Sequence, residues 1–379
     1  TRSQKWDSRE AYQNGSLIPM WVADMDFPVD QRIMEAIRKR TEHPVFGYVY
    51  AGESMAKAAS RWMLKRHGWT VDPAHVAFCP GIVPAISAAV QTFSSPGGAV
   101  VIQSPVYYPF AGTIRDCGRE VVTNPLLEKN GEYSVDFADL ERKIRDSKAR
   151  LMILCNPHNP VGRVYSAEEL MRIAEICLRN EVFLFSDEIH ADLILRGYRH
   201  TPIASLSKAI SQNCLTGISP SKTFNLAGLV GSYHIIYNPT LLDKCNRAAE
   251  LSGYNNLNVL SVHALIGAYS AEGGQWADEL RQVIAGNVDF AVDYIRNHFN
   301  GVSLFRPEGT YMLFIDCANW LAAHGMTLDE LLKMGWDVGV VWQDGRPFHG
   351  SAHIRMNLAL PRSRVEEAFR RLDTYVFNA

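Results

Sequence analysis

Between about residues 75 and 236, short apolar runs alternate with stretches of helical periodicity, and this alternation leaves few architectures open. The runs VAFC (76–79), AVVIQ (99–103), LMILC (151–155), VFLF (182–185), CLTG (214–217) and GSYHII (231–236) read as strands. Most are apolar at successive positions, so both faces of the sheet they form must be covered. Between them lie VPAISAAVQTF (83–93), DFADLERKIRD (136–146) and SAEELMRIAEICLRN (166–180). In the last, Leu170, Ile173, Ala174, Ile176 and Cys177 recur at helical spacing behind Ser166, with Glu169 three positions on as its capping partner. The succession predicts an α/β fold, a mostly parallel sheet between layers of helices. From about Glu272 the pattern changes to long helices plus TYMLFIDC (310–317) and HIRMNLAL (353–360). A large domain over 45–271 is expected, with a smaller α+β domain from 1–44 and 272–379.

Composition narrows the function classes. With 47% hydrophobic and 21% charged residues, the chain has ample material for a core. A formal net charge of -2 gives no electrostatic reason to expect nucleic acid or an anionic membrane as partner. No apolar run approaches the ~18 residues of a membrane helix. The opening TRSQKWDSREAYQNG lacks the apolar core of a signal peptide, and the seven cysteines are scattered without a C-x-x-C. A cytoplasmic protein with reduced thiols is expected.

Chemistry concentrates where the predicted strands end. In EVFLFSDEIHADL (181–193) an apolar run stops at Asp187 and Glu188, with His190 close behind. Buried carboxylates are costly unless paired or bonded. Asn156 and Asn159 follow LMILC, and Lys222 follows CLTG. In a parallel sheet, ligands bind beyond these carboxyl ends. Lys222 lies in SPSKTFNLAGL (219–229), flanked by Ser219, Ser221 and Thr223. A lysine among hydroxyls suits Schiff-base chemistry with a phosphorylated carbonyl cofactor. Pyridoxal phosphate further needs an acid beside its ring nitrogen, a charge that Asp187 can supply. Glu188 reads as scaffolding, and no metal site is expected.

Asn159 in CNPHNPVG, Asp187 in SDEIH and Lys222 in SPSKTFN stand in the order and approximate spacing of the fold-type I pyridoxal phosphate enzymes, the aspartate aminotransferase superfamily. The chain resembles that superfamily over essentially its whole length. The resemblance implies that Lys222 is the Schiff-base lysine and moves the substrate Cα proton. It implies that Asp187 partners the pyridine nitrogen and that Asn159 serves the ring hydroxyl and the substrate. Tyr107 in SPVYYPF takes the place of the tyrosine that stacks on the ring. Gly81, Ile82 and Val83 in CPGIVPAI match the turn that cradles the phosphate at a helix N-terminus, with Ser219 and Ser221 adding hydroxyls. Tyr48 in HPVFGYVYAG matches a tyrosine that reaches the neighbouring subunit's site, which implies a homodimer. Arg355 in HIRMNLALPR matches the arginine that grips the carboxylate of an amino-acid substrate.

Three features resemble one branch, the cystathionine β-lyases (C–S lyases) of the MalY/PatB type. LIPMWVADMDFP (17–28) is similar to their N-terminal signature. His190 stands where aminotransferases commonly carry a tyrosine near the ring hydroxyl. Val230 stands where many of them carry a phosphate-binding arginine. The resemblance implies α,β-elimination from cystathionine or a related cysteine S-conjugate, giving a thiol, pyruvate and ammonia. An aminotransferase uses the same residues, so it remains the alternative, followed by a weakly catalytic regulatory homologue.

Overall fold

The computed structural model describes residues 1–7, 17–129, 131–253 and 256–378. Seven strands form the main sheet: β1 (Val76–Cys79), β2 (Ala99–Ser104), β3 (Glu120–Pro125), β4 (Leu151–Cys155), β5 (Phe183–Asp187), β6 (Cys214–Ile218) and β7 (Ser232–Ile235). Their order is β1-β7-β6-β5-β4-β2-β3, parallel except for β7, which runs antiparallel to both neighbours. The two antiparallel pairings bring β1 back to the direction of β6, so its carboxyl end shares an edge with β4, β5 and β6. The four strands β2, β4, β5 and β6 are buried at every position, as the unbroken apolar runs require. β3 was not anticipated: in EVVTNP only Val121 and Val122 are large and apolar, which suffices at a sheet edge.

Helices cover both faces. Ile82–Phe93 buries Ile82, Ala85, Ile86, Ala89 and Val90 on one. On the other, Ala167–Arg179 buries the five residues read as its apolar stripe, and Ser166 with Glu169 forms the expected capping box. Each large apolar side chain so buried contributes about 1.5–3 kcal/mol. Two apolar clusters flank the sheet, one holding Met152, Leu154 and Leu184, the other Ile153, Phe185 and Leu215.

A third cluster lies around a four-stranded antiparallel sheet of β8 (Ser303–Leu304), β9 (Met312–Asp316), β10 (Gln343–Asp344) and β11 (His353–Asn357), in the order β8-β9-β11-β10. The helices Ala271–His298 and Arg362–Leu372 pack on it. Ile18, Met20 and Met25 belong to this cluster, and Ile18–Pro19 pairs in parallel with Val340–Val341. The next helix, Gln31–Thr41, instead packs on Val259–Ala268, and its Ile33 joins the large-sheet core. Gly267 permits that approach, because a Cβ there would lie 3.1 Å from the Arg32 carbonyl oxygen. The segment between Met20 and Gln31 therefore crosses from one core to the other.

Candidate active site

The register of the parallel strands sets the site. Cys155, Asp187 and Gly217 are side by side at the ends of β4, β5 and β6. The ladder continues one step further, with Asn156 N–H on Asp187 O and Glu188 N–H on Gly217 O, both at 2.9 Å. Ser186 and Asp187 are thus still strand residues although the apolar run ends at Phe185. Just beyond this edge lie Asn159, His190 and Lys222, and Arg355 comes to it from β11 of the small sheet.

Asp187 is buried, with Oδ1 accepting the Ile189 N–H at 3.1 Å. Burial lifts its carboxyl to about 7; the Ile189 bond and Lys222 oppose this, and Glu188 adds to it. Such a carboxyl calls for a cation against it. Lys222 is half-buried, and its Nζ donates to the Ala23 carbonyl at 3.2 Å. Burial lowers its pKa, Asp24 and Asp187 support the ammonium form, and Arg355 opposes it. His190 is pushed down to about 3 by burial and by the cations Lys222 and Arg355, so its imidazole is neutral. Its Nδ1 is buried without a hydrogen-bond partner.

Glu188 faces away from this chemistry. Its carboxylate receives Ser186 Oγ at 2.9 Å, Ile203 N–H at 3.1 Å and His200 Nε2 at 2.8 Å.

Arg355 is buried, lies over the Phe348 ring at 4.4 Å, and is lowered to about 10 by burial. One terminal nitrogen donates to Asn159 Oδ1 at 3.3 Å; the other donates to the Trp21 carbonyl at 3.0 Å and to Gln343. Its Nε has no partner. A buried guanidinium without a facing carboxylate is suited to receiving one from a ligand. Tyr107, raised to about 12 mainly by burial, is near enough to Arg355 and Asp187 to feel both charges.

The turn after β1 begins the helix Ile82–Phe93. Gly81 sits at φ +113°, ψ 155°, a conformation open to glycine alone. Its N–H points inward, to Ser232 Oγ at 3.0 Å, so the first-turn N–H groups of Ile82 and Val83 are the donors left to an anion. Ser219 Oγ lies 2.6 Å from the Gly231 carbonyl and 2.9 Å from Ser221 Oγ. Val230 holds φ +52°, and its side chain lies beside Gly81. Tyr48 is fully exposed in a stretch with exposed Val45, Phe46 and Tyr50, away from these groups within one subunit.

Sequence reasoning missed three contributors. The backbone of Trp21–Phe27 lines the site: its carbonyls accept from Arg355, Asn357, Lys222, Lys5 and Asn225. Tyr311, fully buried, donates to the same Ala23 carbonyl as Lys222, at 2.8 Å. Asp192, bonded to the residue after Lys222, accepts from Trp62 Nε1 and from Thr223 Oγ1, and pairs with His67 Nε2 at 3.0 Å. The last had a visible signal, a third acid within DEIHADL. The others depend on chain crossing that no local pattern reports.

The family described as aminotransferase class I and II matches residues 17–372. The chain belongs to that family. Among class I and II aminotransferase relatives, the cystathionine beta-lyase PatB of Bacillus subtilis is 40% identical over 375 residues, 98% of this chain and 96% of that protein. The solved structure of cystalysin from Treponema denticola, which contains pyridoxal 5'-phosphate, superimposes with a TM-score of 0.93 at 33% identity, covering 99% of this chain and 95% of that one. The pyridoxal phosphate-bound C–S lyase of Staphylococcus hominis gives 0.89 at 31%, with the same coverages. The fold is therefore that of the fold-type I enzymes in this family. Among the described residues, no three His, Cys, Asp or Glu are grouped to hold a metal ion, and no helix is long and apolar enough to cross a membrane.

Proposed function

We propose that this protein is a pyridoxal phosphate-dependent C–S β-lyase acting on cystathionine or related cysteine S-conjugates. The observation that carries the reading is the 40% identity to a cystathionine β-lyase along nearly the whole of both chains. The site fits the cofactor on its own terms. Asp187 is a buried carboxyl in need of a cation, the first-turn N–H groups of Ile82 and Val83 with Ser221 suit a phosphate, and Lys222 supplies an amine. When bound, pyridoxal phosphate supplies a carbonyl for amine condensation and a protonated pyridine ring that takes up an electron pair.

The chain's residues then divide the work. With the cofactor bound, Asp187 would keep the ring nitrogen protonated, and Tyr107, Asn159 and neutral His190 would help to hold the ring. Arg355 binds the substrate carboxylate through its free Nε, with the adjoining terminal nitrogen exchanging its Gln343 contact for the second carboxylate oxygen. Lys222 takes the proton from the substrate Cα, and the electron pair left there expels the β-sulfur as thiolate. Water completes the balance: cysteine S-conjugate plus water gives thiol, pyruvate and ammonia. The exposed stretch Val45–Tyr50 supports a homodimer in which Tyr48 reaches the partner's site. Seven free cysteines support a reducing, cytoplasmic setting.

The test is incubation with cystathionine and no keto acid. Pyruvate and free thiol in equal amounts over many turnovers are expected. Conversion to the 2-oxo acid of the intact thioether, without thiol release and only on addition of a keto-acid amino acceptor, would make the protein an aminotransferase instead.

A further inference from the structure

The Ala23 carbonyl accepts two hydrogen bonds, from Lys222 Nζ at 3.2 Å and from the Tyr311 hydroxyl at 2.8 Å. A carbonyl oxygen has two lone pairs, so this acceptor is fully used. Tyr311 is wholly buried, and burial drives its hydroxyl pKa far upward, which makes it a permanent donor. Its backbone is fixed on both sides: Leu358 N–H bonds the Tyr311 carbonyl at 2.8 Å, and Thr310 N–H bonds Leu193 O at 2.7 Å. Leu193 N–H in turn bonds His190 O, and the Tyr311 ring meets His190 edge-on with centroids 5.8 Å apart. The phenol thus stands between the small sheet, the loop after β5 and the Trp21–Phe27 segment. The groups acting on Lys222 are Asp24 and Asp187, which favour the ammonium, and Arg355, which opposes it. Neutral His190 and Tyr311 add no charge.

We propose that Tyr311 is a positioning residue for Lys222: its hydroxyl aims the Ala23 carbonyl, and that carbonyl holds the lysine amine whenever it is not bonded to cofactor. The inference rests on the reading of Lys222 as the amine that moves the Cα proton. It gives the hydroxyl a role in the chemical step and in cofactor capture, and none in substrate affinity.

Tyr311→Phe keeps the ring and removes only the hydroxyl. The variant is expected to lose about ten- to a hundredfold in kcat with KM nearly constant. The stripped variant should capture added pyridoxal phosphate about tenfold more slowly, followed by the visible absorption band, while its melting temperature stays close to wild type. A purely packing role would move the melting temperature and leave the capture rate alone. Wild-type capture and kcat in Tyr311→Phe would overturn the proposal, as would a raised KM with unchanged kcat. Lys222→Ala separates the two readings. If it keeps full lyase activity, the role of Lys222 itself fails; if it is inactive while Tyr311→Phe is normal, only the inference about Tyr311 fails.

Discussion

Arg355 and Asn159, 196 positions apart in sequence, are joined by a hydrogen bond of 3.3 Å from a guanidinium nitrogen to the amide oxygen. One stands on the small sheet and the other on the loop after β4, so this contact marks where the two sheets meet over the site.

Replacing that arginine tests its role directly. Arg355→Lys keeps a positive charge but loses the planar fork and the stacking over Phe348. A loss of about 3 kcal/mol in transition-state binding is expected, or roughly a hundredfold or more in kcat/KM, expressed mainly in KM. Steady-state kinetics with a cysteine S-conjugate and with its amide, which lacks the carboxylate, checks this: the variant should discriminate little between them.

Asp187 gives a prediction with a defined pH sense. Its folded-state carboxyl is raised to about 7, mainly by burial, against an ordinary value near 4. Across pH 4 to 7 the ligand-free folded protein therefore binds a proton that the unfolded chain has released. Stability contributed by this group falls as pH rises through that window, by about 1.4 kcal/mol per unit. Asp187→Asn abolishes the dependence. Calorimetry of the two ligand-free proteins should show similar melting at pH 4.5 and a more stable variant at pH 8, although the variant is inactive. A difference that does not change with pH would contradict the assignment.

Glu188, the neighbour, should behave in the opposite way. Glu188→Ala leaves Ser186, His200 and the Ile203 N–H without their shared acceptor. A stability loss of about 3 kcal/mol is expected, with kcat of the folded fraction within about twofold of wild type. Chemical denaturation and kinetics on the same preparation separate these effects.

Gly81→Ala places a side chain at φ +113° beside the first helical turn. The strain of about 1–3 kcal/mol shifts the N–H groups of Ile82 and Val83. Weaker retention of pyridoxal phosphate during dialysis is expected, with little change in KM for substrate.

Much of this arrangement was legible beforehand because strand ends and ligand chemistry coincide in parallel sheets. The unbroken apolar runs located β2, β4, β5 and β6, and the residues just after them included Asn159, Asp187 and Lys222. β3 escaped because an edge strand needs only a short, half-polar segment. The direction of the Gly81 N–H escaped because it depends on Ser232, on a strand 151 residues away in sequence. Tyr311 read as one apolar residue among others in TYMLFIDC; its hydroxyl acquires meaning only once Trp21–Phe27 lies across it.

That crossing segment is shared by both cations of the site. Lys222 and Asn225, from the loop after β6 of the main sheet, bond the carbonyls of Ala23, Met25 and Phe27. Arg355 and Asn357, from the small sheet, bond those of Trp21, Val22 and Asp24. Arg355 and Lys222 are thus tied to neighbouring peptide groups of one short segment, so a substitution that reshapes the Trp21–Phe27 backbone is felt at both cations at once.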